Sequence, residues 1–147
     1  MAPGGFKYEP RAMADAPRQF GKSSERLRPA PGFSASDPQF IAAQLQHRVA
    51  YAVREALLRG PNLEAFVTGL RPRPPGMTYD RLVRIHRGET LMQLADLVNW
   101  AQRFATVRAI LADEDSWIPS EATVPVNAGG DGSTFSSPAV ERSTPTS

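Results

Sequence analysis

The chain has 147 residues, with 17 Lys and Arg against 15 Asp and Glu, 14 Pro, 11 Gly and no Cys. That length supports one domain with tails and excludes a second domain or a large catalytic scaffold. Without cysteine there is no disulfide, no thiolate zinc site and no cysteine nucleophile.

Residues 1–36 mix Pro, Gly, Ala, Ser and scattered charges with no helical or strand period, which predicts a disordered, basic arm. Phe6, Tyr8, Phe20 and Phe33 stand in it as isolated aromatics. Order is expected from Asp37-Pro38, a good cap followed by a residue pre-organised for the first helical turn. Ile41, Leu45, Val49, Val53 and Leu57 then recur at helical spacing as one apolar stripe, ending at Gly60-Pro61. A helix of that length is expected to extend its first half beyond the core.

Asn62 can cap a short second helix that runs through Phe66 and Val67 to about Gly69. Arg71-Pro-Arg-Pro-Pro-Gly76 cannot be helix and reads as a stiff basic turn. A third helix is predicted from the cap Thr78 to Arg87. Leu82 and Ile85 face inward, Tyr79, Asp80, Arg81, Arg84 and Arg87 face outward, and Gly88 is the left-handed stop. The pattern Thr90-Leu-Met-Gln93 predicts the start of a fourth helix with Leu94, Leu97, Val98, Ala101 and Phe104 on its stripe and Trp100 in the core. A fifth, over 106–112, precedes Asp113-Glu-Asp115. The fold class expected is therefore all-α, a small five-helix bundle. Its regions are a disordered basic arm (1–36), a helical domain (37–112) and a disordered acidic tail (113–147).

Charge follows the same division. Residues 38–112 carry ten Arg against five acidic side chains, whereas 113–147 carry one Arg against six acids. An arginine-rich helical domain is the electrostatic footprint of a phosphate-backbone binder. A short second helix, a turn and a polar, arginine-bearing third helix describe a helix-turn-helix, in which the third helix enters the major groove.

Leu82-Val-Arg-Ile-His-Arg-Gly88, followed by Glu89-Thr-Leu-Met-Gln-Leu-Ala-Asp-Leu97, resembles the Cro/phage-repressor (XRE) family of bacterial helix-turn-helix regulators over roughly residues 62–104. The chain departs from that family in its longer, proline-rich turn and in lacking the usual glutamine near the start of the second helix. The resemblance implies a lambda-repressor-like domain that binds double-stranded DNA as a homodimer, in the cytoplasm at the nucleoid. By the same resemblance Tyr79, Asp80 and Arg84 meet bases, and Thr78, Arg81 and Arg87 hold phosphates. Arg71 and Arg73 reach the backbone from the turn. Dimerisation is expected through the first half of the first helix or through Val107–Leu111. Two other readings are a protein-interaction module of antitoxin or adaptor type, whose tails wrap a partner, and an architectural DNA binder without sequence preference.

No catalytic constellation is present. The Gly-rich, Ser-His-Asp and paired-carboxylate motifs are all missing, and Gly129-Gly-Asp-Gly132 reads as linker. His47 and His86 lack ligand spacing, so no metal is expected, and His86 is expected to be a surface or backbone-contacting residue. No cofactor is implied. No run of about 18 apolar residues spans a membrane, and residues 1–22 lack the apolar run of a secretory signal, so an intracellular chain is expected.

Overall fold

The Asp37 carboxylate accepts a hydrogen bond from the Gln39 backbone N–H at 2.9 Å, and Pro38 sits in the first turn, where it removes no intrahelical donor. From this start runs α1, Pro38–Leu57, in the computed structural model of the chain, which describes residues 8–119. Four helices follow: α2 (Leu63–Thr68), α3 (Tyr79–His86), α4 (Leu94–Arg103) and α5 (Ala105–Ala112). Among the described residues there is no strand, and no helix is long and apolar enough to cross a membrane.

One side of α1 enters the core formed by Val49, Val53, Val67, Leu70, Met77, Leu82, Ile85, Trp100 and Val107. Trp100, fully buried, is the hub, with the rings of Phe66, His86 and Phe104 at centroid distances of 5.5, 5.6 and 5.8 Å. Aromatic rings at such distances add to what burial alone contributes.

The other side of α1 is covered as well, and this overturns the reading of residues 8–36 as a disordered arm. Short 3-10 turns at Pro10–Met13 and Pro17–Gln19 lay Met13, Ala14 and Phe20 into the interior. Residues 13–15 and 28–30 pair through Ala30 N–H to Met13 O and Asp15 N–H to Arg28 O. Polar side chains of α1 hold the segment. Gln44 accepts from Leu27 N–H at 2.9 Å and donates to Leu27 O at 3.2 Å. His47 Nδ1 accepts from Gly21 N–H, and its Nε2 donates to Glu25 O, each at 2.8 Å. The ordering thus comes from anchors spaced irregularly along the chain, which leave no period to read. It also means that the first half of α1 does not project: Phe40, Ala43, Gln44, Gln46 and His47 are all buried.

The start of the expected acidic tail is ordered too. A 3-10 turn over Glu114–Ser116 lets the Trp117 indole N–H donate to Ile110 O at 3.1 Å, and Arg26 donates to Asp115 O at 2.7 Å. The remainder of both expected tails, 1–7 and 120–147, lies outside the described residues.

The fourth helix begins at Leu94, later than the Thr90 pattern implies. Buried Gln46 takes Thr90 O, the carbonyl that would accept from Leu94 N–H if the helix began at Thr90, and bonds the chain on either side of it. Its Nε2 donates to Ile85 O at 2.8 Å and Thr90 O at 2.9 Å, while its Oε1 accepts from Met92 N–H at 2.8 Å. Gln93 is the cap instead, its own N–H donating to Asp96 Oδ2 at 2.9 Å.

Candidate nucleic-acid interface

Helical geometry and the core together decide what α3 shows to solvent. Leu82 and Ile85 are fully buried, so the opposite arc carries Tyr79, Asp80, Arg84 and, at the C-cap, Arg87. Asp80, Arg84 and Arg87 are exposed, as is Tyr79 at 42 %. Thr78 caps the helix, its hydroxyl accepting from Arg81 N–H at 3.3 Å. Four of the expected contact residues therefore share one face, with Thr78 at its leading end.

Both ends of α3 are fastened. At the first turn the Arg81 guanidinium donates to both carboxylate oxygens of Asp96 on α4, at 2.8 and 2.6 Å, and to Gly76 O at 3.2 Å. The Asp96 hydrogen bond holds the Arg81 pKa above its ordinary value. Arg81 is thus a fixed part of the scaffold rather than the free phosphate-binding cation the resemblance implies. At the last turn Gly88 adopts φ +77°, and a Cβ there would lie 2.8 Å from Arg11 and from the Phe20 ring. The backbone Arg11 N–H donates to Gly88 O at 3.0 Å. Gly21, at φ +71°, comes so close that a Cβ would stand 2.5 Å from His86 O. Residues 11–21 therefore brace the end of α3.

The turn before α3 is pinned at both ends by buried Leu70 and Met77. Arg71 folds back and donates to Thr68 O at 2.8 Å and Leu70 O at 2.7 Å, meeting carbonyls that the end of α2 leaves unpaired. Arg73 is exposed and has no ion pair among the described residues. Arg84 is likewise unpaired among the described residues, and Arg87 lies 3.9 Å from Glu89.

His86 departs from its expected surface position. It is largely buried beside Trp100, and its Nε2 has no hydrogen-bond partner. Burial pushes its pKa down to about 4, against a smaller opposing effect of Asp96. His47 is also lowered, again chiefly by burial, so both rings are neutral in the folded chain at pH 7.

The fold adds two cations that the sequence did not single out. Lys22 and Arg54 line, together with Val83, His86 and Arg87, one surface groove of about 420 Å³. Nothing in their spacing signals this, because Lys22 reaches α3 only through the ordering of the N-terminal segment. Among the described residues no group of three His, Asp or Glu side chains is placed to hold a metal ion. The chain matches no protein-family model, no curated protein and no solved structure.

Proposed function

We propose that the chain is a sequence-specific DNA-binding regulator of the helix-turn-helix kind, with α3 entering the major groove and related to the Cro/phage-repressor family. The observation that carries this reading is the exposed arc of α3, which presents Tyr79, Asp80, Arg84 and Arg87 from a helix buried on its other side and braced at both ends. A groove admits one helix, and base readout needs side chains that do not wander, so a polar face on a held helix suits it.

In this reading Arg84 bonds a guanine with two hydrogen bonds, and Asp80 accepts from a cytosine amino group. Tyr79 supplies an apolar edge and a hydroxyl. Arg73 and Arg87, with Thr78 at the helix start, hold phosphates and set the register, and Lys22 and Arg54 extend that track. The chain acts as a dimer on a two-fold operator.

The test is selection of bound duplexes from a random pool by the native chain and by Arg84→Ala. The reading expects a two-fold motif that loses preference at one position per half-site in the variant, with a loss of about 1–3 kcal/mol. The logarithm of affinity should fall with that of salt by about 0.9 per neutralised phosphate. Binding without a motif moves the assignment to an architectural DNA binder. No binding at low salt makes the α3 face a protein-docking surface.

A further inference from the structure

We propose that the groove between the N-terminal segment and the last turn of α3 binds a small amphipathic anion, a free carboxylate carried on an apolar body.

Four parts of the chain converge on it. Lys22 comes from the N-terminal segment, Arg54 and Leu58 from α1 and its C-cap, Leu63 from α2, and Val83 and Arg87 from α3 and its C-cap. Small-molecule sites form in such concave junctions, at about 300–1,000 Å³, and are mostly apolar with a few polar groups that fix orientation. This groove, about 420 Å³, lies within that range. Its apolar wall is open to water: Leu58 is 70 % exposed, and Leu63 and Val83 are partly exposed. An apolar body laid there removes that surface from water.

The charged members choose the head group. Lys22, Arg54 and Arg87 line the groove, and no Asp or Glu lines it. Arg87 has Glu89 at 3.9 Å, whereas Lys22 and Arg54 have no ion pair among the described residues. A carboxylate fits the planar fork of Arg54 with two parallel hydrogen bonds, and Lys22 supplies a second positive charge on the same groove. A nucleotide is a poorer match. Its ribose and base need hydrogen-bonding partners, and the uncharged polar side chains here are only Asn62 and His86. A bilayer also matches less well, since these apolar side chains line a recess instead of forming one outward face.

The site does not depend on DNA binding. In the reading of α3 as a recognition helix, Lys22, Arg54 and Arg87 are phosphate contacts as well. A bound carboxylate would then occupy the same cations, so ligand and DNA would oppose each other.

Nuclear magnetic resonance titration of the full, amide-labelled chain with octanoate, in the absence of DNA, tests the proposal. For a ligand of about ten heavy atoms, the usual binding efficiency puts Kd on the order of 300 µM. Saturable shifts are expected at the amides of Lys22, Arg54, Leu58, Leu63, Val83 and Arg87, and not on α5. Octanol keeps only the tail and acetate only the head, so each should bind at least about tenfold more weakly. Arg54→Gln should raise Kd about tenfold and Lys22→Gln about threefold, with melts unchanged because both side chains are exposed. Arg73→Gln, outside the groove, should leave Kd as it is. No saturable shift up to about 5 mM octanoate overturns the proposal. So do shifts spread over the whole surface, octanol binding as tightly as octanoate, full affinity in Arg54→Gln, or an equal loss in Arg73→Gln.

Discussion

Arg81 and Asp96 close a two-pronged ion pair between the first turns of α3 and α4, with only 5 % of the Asp96 side chain exposed. Asp96 also accepts the Gln93 N–H, so one carboxylate starts α4 and positions α3. Removing either partner strands the other in a partly dry site. Arg81→Ala and Asp96→Ala are each expected to cost about 2–4 kcal/mol of stability. In denaturant titrations the double variant should lose clearly less than the sum of the two, which is the mark of a direct coupling.

The two turn arginines are expected to separate. Arg71 bonds the carbonyls at the end of α2, so Arg71→Ala should lower stability by about 0.5–1.5 kcal/mol. Arg73 makes no such bond and should leave the melt unchanged. On DNA, Arg73→Ala should flatten the salt dependence by about one phosphate contact across all sequences alike. Equal effects of both substitutions on both readouts would contradict this division.

Acid should unfold the chain through its histidines. His86 is held down to about 4 by burial, and His47, which accepts a hydrogen bond from Gly21 N–H on Nδ1, is lowered as well. The unfolded rings take up protons near pH 6.5, before the folded ones do. For His86, stability is therefore fully present above about pH 6.5 and falls as the pH drops toward 4, by up to about 1.4 kcal/mol per pH unit, and His47 acts in the same direction. His86→Phe removes a buried nitrogen without a partner and should hold or raise the melting temperature at pH 7. It should also weaken the loss on acidification, as melts from pH 4 to 7.5 would reveal.

Gly21→Ala tests the brace on the end of α3. The new methyl would combine a left-handed backbone with a 2.5 Å approach to His86 O, a cost of about 2–4 kcal/mol. Hydrogen exchange should quicken at the Gly21 amide and through residues 84–88, while the Arg81 end of α3 stays protected. Uniform loss of protection over the whole chain would argue against a local brace.

Local chemistry made much of the helical plan legible. Asp37-Pro38, Asn62 and Thr78 act as the caps their side chains favour, and Gly88 ends α3 in the left-handed region, because a cap needs only neighbours within a few residues. The inward positions of Leu82 and Ile85 follow from helical period in the same way. On α4 the period turns Leu94 and Val98 inward, whereas the structure leaves them 76 % and 49 % exposed and buries Trp100 from the flank of that stripe. The long-range partners were decided by the tertiary structure. Gln44, Gln46 and His47 look like ordinary polar positions on α1, yet they bond backbone groups 17 to 46 residues away. Those bonds order residues 8–36 and delay the start of α4, and neither event leaves a periodic trace. Arg81 and Arg84 are both arginines on one short polar helix. Only the approach of α4 makes the first a fixed strut and leaves the second free, because pairing depends on where Asp96 arrives in space and not on the side chain's own preference.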